Sequence, residues 1–175
     1  MESLHNGELD VLLLALPFPA EQVDIMPLLD DPFFLASPSD HPLSRRNSVT
    51  TTQLKGESLL LLEDGHCLRE HALEACELRD AQVSVPYQAT SLNTIVQMVA
   101  NNIGITLLPK MAVDSGITSG TDLAVTPFAH SSVGREIGLM WRKKTPRRAE
   151  FSLLGDFIQR CHQGDDSAAK QPVSD

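Results

Sequence analysis

The chain has 175 residues, with 14 Lys and Arg against 23 Asp and Glu, a formal net charge of −9 and a pI near 5.0. That length supports one domain or two small lobes with a genuine core. The acidic balance argues against a nucleic-acid-binding surface, which needs a basic patch or stripe. The one basic cluster, Arg142-Lys-Lys-Thr-Pro-Arg-Arg148, reads as a solvated loop between elements. Three cysteines do not suggest a secreted disulfide scaffold, no apolar run reaches the length of a membrane span, and the N-terminus does not read as a signal peptide. The expectation is a cytoplasmic protein with no membrane partner.

Glu2 to Gly7 reads as the last turn of a helix, with Asn6-Gly7 as its C-cap. Leu9 to Leu16 is a nearly continuous apolar run, which predicts a strand buried on both faces of a parallel sheet. Pro17 to Pro27 is a connection, and a second strand is expected over Pro32–Ser37. Ser39 to Leu43 carries turn chemistry, Val49–Leu54 is a short amphipathic step, and Leu59–Leu62 is a strand. A further short strand is expected over Val83–Gln88.

The apolar positions Leu92, Ile95, Val96, Val99 and Ile103 predict a helix from Leu92 to Asn102, stopped by Gly104. Ile105–Leu108 reads as a buried strand closed by Pro109, Gly116–Asp122 as a loop, and Leu123–Phe128 as extended. Glu136–Arg142 is another strand. A final amphipathic helix runs from Arg148 to His162, and the polar residues from Gln163 to Asp175 are expected to be disordered. Alternating strands and helices predict an α/β architecture.

Between Leu59 and Cys76 lies the stretch with the most chemistry. An apolar run turns through Asp64-Gly65 and enters a predicted helix with cysteines at 67 and 76. A thiolate is stabilised by positive charge, by backbone N–H groups and by a helix start, and Cys67 has His66 before it and Arg69 two residues on. Glu63 and Asp64 work against this. Nine residues of unbroken helix advance about 13.5 Å and two and a half turns. A disulfide needs Cα atoms about 4.4–6.8 Å apart. If the segment is helical when reduced, the two cysteines can pair only after it unwinds. The competing reading is that both are inert core thiols, the usual state of such cysteines. A zinc site of Cys67, Cys76, His66 and His71 matches none of the usual structural spacings. No metal or cofactor is expected.

The run Ala89-Thr-Ser-Leu-Asn-Thr-Ile-Val-Gln-Met-Val-Ala-Asn-Asn-Ile-Gly-Ile-Thr-Leu-Leu-Pro109 resembles the effector domain of LysR-type transcriptional regulators, as does Gly138-Leu-Met-Trp-Arg-Lys with the final helix. Leu-Leu-Glu-Asp-Gly-His-Cys67, with Cys76 nine residues on, resembles the redox segment of the OxyR-type, hydrogen-peroxide-sensing branch of that family. The resemblance implies a two-lobed, periplasmic-binding-protein-like (type 2) α/β fold with its first lobe incomplete. Residues 1–36 and 137–163 would form part of lobe I, residues 37–136 lobe II with a redox segment at 63–76, and 164–175 a tail. The helix-turn-helix, its linker helix and the first elements of lobe I would precede Met1.

Carried over by residue, the resemblance implies that Cys67 is the peroxidatic cysteine and Cys76 the resolving one. It makes His66, Arg69 and Arg135 neighbours of the peroxide, although Arg69 and Arg135 also read as surface salt-bridge partners and His66 as a packing residue. Cys161 has no counterpart. The implied partners are hydrogen peroxide, a second copy in a homodimer or tetramer, and a thiol reductant such as glutaredoxin or thioredoxin. Promoter DNA and RNA polymerase would be reached only through a full-length protein. The alternative function is a metabolite-binding effector domain with no redox role. An enzymatic role, as a free-standing thiol peroxidase, is not expected.

Overall fold

The computed structural model describes residues 1–64, 67–77 and 88–164. In chain order the elements are α1 (Glu2–His5), β1 (Val11–Leu16), β2 (Val23–Pro38), a 3-10 helix at Thr51–Leu54, β3 (Leu59–Leu62), α2 (Cys67–Ala75) and β4 (Gln88–Ala89). There follow α3 (Leu92–Ala100), β5 (Ile105–Pro109), α4 (Lys110–Asp114), β6 (Leu123–Pro127), β7 (Gly134–Arg142) and α5 (Arg148–His162). The chain divides into two units: Met1–Asp30 with Glu136–Asp175, and Asp31–Arg135. The crossings fall inside β2 and β7, whereas the sequence had suggested them after residues 36 and 136. The expected strand over 83–87 and the tail from 165 lie outside the described residues.

In the first unit β1 runs antiparallel to β7, with Val11 opposite Trp141 and Leu16 opposite Glu136. This corrects the parallel, doubly buried strand expected from its composition. Among the described residues β1 stands at the end of the strand order, paired to β7 alone, and Leu13 is 58% exposed. An apolar run specifies a strand, but burial on both faces depends on neighbours that lie elsewhere in the chain. β7 is the strand that is buried along its length from Ile137 to Trp141. Its Leu139 and Trp141 pack with Leu28 and with Phe151 of α5, the two rings 5.7 Å apart. α1 is held on the same unit by Leu4, which packs with Leu16 and Met140. Arg142 donates to the carbonyls of Leu4 and Leu9 and pairs with Asp10, tying the N-terminal turn to β7.

In the second unit the later half of β2 is antiparallel to β5 on one side and β6 on the other. β3 is parallel to both β5 and β4. All four leucines of β3 are buried, and they alternate between two cores. Leu59 and Leu61 join the cluster of Phe33, Val49, Leu54 and Cys76, whereas Leu60 and Leu62 join Ile95 and Val99 of α3. The parallel-sheet reading therefore belongs to this run. α3 ends at Ala100, two residues before the expected boundary, with Asn102 in the left-handed region. Gly104 follows, and a Cβ there would stand 2.4 Å from the Ser58 carbonyl oxygen that accepts the Ile105 N–H. Only glycine allows that approach.

Two further differences from the sequence reading stand out. β2 is a single strand of 16 residues running through Pro27 and Pro32, where a connection and a short strand were expected. α4, which starts directly after Pro109, has no counterpart in that reading. Pro109 ends the strand and, with its extended backbone, also opens the helix.

Candidate functional site around Cys67 and Cys76

α2 begins at Cys67, which is exposed, and its backbone ladder continues to Cys76, whose N–H donates to the Ala72 carbonyl at 3.2 Å. Cys76 is 1% exposed and belongs to the apolar cluster of the second unit with Val49, Leu54 and Val133. The helix expected after Asp64-Gly65 forms, and it sends one thiol to solvent and the other into the core. Burial pushes the Cys76 thiol up to about 12, because a thiolate there would be stripped of water. Cys76 is thus held as an unreactive thiol in this conformation. All three cysteines are unpaired, and Cys161 is exposed on α5.

The residue after Cys76 carries backbone strain. Glu77 has φ 51, a left-handed conformation that glycine normally supplies at a helix end, and its N–H donates to the Glu74 carbonyl at 2.9 Å. The helix is thus closed next to the buried cysteine by a residue poorly suited to close it.

Of the charged residues that the sequence placed beside the thiol, His66 lies outside the described residues. Arg69 is 7% exposed, and its Nε meets Asp64 Oδ1 at 2.9 Å while that carboxylate side chain is 81% exposed. Arg69 also borders a small cavity with Leu68, Ile95 and Thr106, between α2, α3 and the sheet. Arg135 is on β7, and its Nε meets Asp31 Oδ2 at 3.0 Å. Asp31 is fully buried, and its Oδ1 accepts the Met111 N–H at 2.9 Å, so one carboxylate joins β2, β7 and α4. Both arginines are salt-bridged: the Arg135–Asp31 pair is largely buried, whereas buried Arg69 meets a carboxylate at the surface. His71, on the inner side of α2, is also buried.

Sequence reasoning missed Asp31 and Glu77. Asp31 is one of three aspartates in β2 and falls just before the strand expected over Pro32–Ser37, so no sequence signal marks it as the buried one. For Glu77 there was none, since the strain appears only once α2 has an end.

Against known proteins, the family profile for the LysR substrate binding domain matches residues 1–162. A probable hydrogen peroxide-inducible genes activator of Streptomyces viridosporus is 40% identical over 162 residues, covering 92% of this chain and 52% of the relative. The DNA-binding transcriptional dual regulator OxyR of Escherichia coli is 38% identical over 174 residues, covering 99% of this chain and 57% of the relative. The chain thus spans about half the length of these curated relatives. Among solved structures, the reduced form of the regulatory domain of OxyR2 from Vibrio vulnificus superposes with a TM-score of 0.79 at 38% identity, covering 91% of this chain and 75% of that one.

Proposed function

We propose that this chain, which belongs to the LysR substrate-binding domain family, is the redox-sensing regulatory domain of a transcription factor that responds to hydrogen peroxide through Cys67 and Cys76. The observation that carries this reading is the unlike placement of the two thiols, one exposed at the start of α2 and one buried just past its end. The Streptomyces viridosporus relative, named as a probable hydrogen peroxide-inducible genes activator, supports it.

Cys67, as thiolate, attacks one peroxide oxygen. The O–O bond breaks, Cys67 becomes a sulfenic acid, and the other oxygen leaves as hydroxide, which takes a proton to become water. Cys76, as thiolate, then attacks the Cys67 sulfur. The S–O bond breaks, the disulfide forms, and a second water leaves. In total two thiols lose two electrons and two protons, and one peroxide becomes two waters. His66, Arg69 and Arg135 are the proposed neighbours of the peroxide.

The second step needs Cys76 to leave the core, since about 13.5 Å of helix separates it from Cys67. Withdrawing one small apolar side chain costs on the order of 1–2 kcal/mol, which a covalent bond readily offsets. Oxidation therefore selects an unwound form of the segment, and the covalent bond biases a two-state element. A thiol reductant such as glutaredoxin or thioredoxin would reset it. Self-association as a homodimer or tetramer, and contact with promoter DNA and RNA polymerase through a full-length protein, would read it out.

Peptide mapping by mass spectrometry after brief exposure to micromolar peroxide tests this reading. A linked Cys67–Cys76 peptide is expected. Finding Cys67 still reduced, with no linked peptide, would overturn it. A Cys67→Ser variant that responds normally in cells would instead favour the metabolite-binding alternative.

A further inference from the structure

Within the second unit, a cavity of about 330 Å³ borders the segment that holds Cys76. Its floor is apolar: Val49, Phe128 and Val133, all packed in the same cluster as Cys76. Ala75 and Glu77, the two residues that flank Cys76, form one wall. The rest carries hydroxyls of the 50–52 threonine run and of Ser132, and the imidazole of His130.

Part of this lining is rigid. Val49 is bridged to Phe128, its N–H donating to the Pro127 carbonyl at 2.9 Å and its carbonyl accepting the Ala129 N–H at 2.8 Å. Gln53 Oε1 accepts the Thr50 N–H at 2.8 Å and pins the start of the 3-10 helix. The wall at Ala75 and Glu77 is different, because it belongs to the helix end that must unwind if Cys76 is to reach Cys67.

Such a volume is at the low end of small-ligand sites, about 300–1,000 Å³. Among the described residues of the lining, Glu77 and His130 are the only acidic or basic side chains, and the carboxylate disfavours anions. Among the described residues, the side chains of Thr51, Glu77, His130 and Ser132 make no hydrogen bond or ion pair with the protein. The groups left to recognise a ligand are thus a carboxylate, hydroxyls and an imidazole over an apolar floor.

We propose that this cavity binds a small hydroxylated amine, and that its occupation holds the segment in the form with Cys76 buried. The ammonium is matched to Glu77, the hydroxyls to Thr51, Ser132 and His130, and the carbon skeleton to the floor. A ligand that binds only the closed form lowers the open population by a factor of 1 + [L]/Kd. The coupling rests on the peroxide-switch reading; the binding site itself does not. Exposed Cys67 remains free to become a sulfenic acid. Only the step that needs Cys76 slows.

The test uses the whole chain with tris(hydroxymethyl)aminomethane as probe, with glycerol and inorganic phosphate as neutral and anionic comparisons. Calorimetric titration of reduced Cys67→Ser protein should give saturable binding of the amine, tighter than of glycerol and with none of phosphate. Glu77→Gln should weaken the amine about threefold, the size of an exposed ion pair. In the unsubstituted chain, a probe concentration ten times Kd should slow disulfide formation about tenfold and let dimedone-trappable sulfenic acid accumulate. No saturable binding, or phosphate binding as well as the amine, overturns the site. Binding with an unchanged rate of disulfide formation overturns the coupling. If peroxide yields no disulfide even without probe, the switch reading fails and the coupling fails with it, while the titration still decides the site.

Discussion

Asp31 and Arg135 meet at 3.0 Å, and the carboxylate is wholly buried while the arginine side chain keeps 15% of its surface. The pair lies where the chain enters the second unit on β2 and leaves it on β7. Because Asp31 also accepts the Met111 N–H, its two oxygens serve two different elements. Arg135→Met would leave a buried carboxylate without its cation, and should cost about 3 kcal/mol of unfolding free energy. Asp31→Asn retains an oxygen for Met111 and should cost less. Urea midpoints for the two variants check this; an Arg135→Met loss below about 0.5 kcal/mol would refute the clamp.

The buried Cys76 thiol makes a statement about pH. Its value is raised from 9.0 to about 12 in the folded chain, so the folded state holds this proton more tightly than the unfolded state. Its contribution to stability is fully present below pH 9 and is lost as pH rises from 9 towards 12, at about 1 kcal/mol per pH unit. Cys76→Ala removes this dependence. The difference in urea stability between wild type and Cys76→Ala should therefore shrink from pH 8 to pH 10. In the same reduced protein, iodoacetamide at pH 8 should modify Cys67 and Cys161 and spare Cys76 until denaturant is added. Equal labelling of all three would contradict the burial of Cys76.

Glu77 offers a way to stiffen the switch without touching either sulfur. Glycine at this left-handed position removes a strain of about 1 kcal/mol, and Glu77→Gly should raise the stability of the reduced chain by that amount. Since the strained end is the one that must open, disulfide formation after peroxide should slow about fivefold, the factor matching 1 kcal/mol. Stopped-flow quenching with alkylation, read by mass spectrometry, measures it. A variant that is more stable yet oxidises at the wild-type rate would show that the helix end is not the part that opens.

What could be read from the chain alone was local. The 3.6-residue spacing from Leu92 to Val99 made a helix, the leucines at 59–62 made a strand, and the interval from Cys67 to Cys76 separated the thiols if that segment was helical. These properties depend on repeats of a few residues, which sequence displays directly. Tertiary structure decided the rest. It made β1 an antiparallel edge strand with Leu13 exposed, although its composition matches that of a buried strand. It paired Asp31 with Arg135 from opposite ends of the second unit, and chose Cys76 as the buried thiol by setting Val49 and Val133 against it. Burial and charge pairing are made by residues far apart in the chain, and no periodicity within one segment encodes which distant segment will cover it.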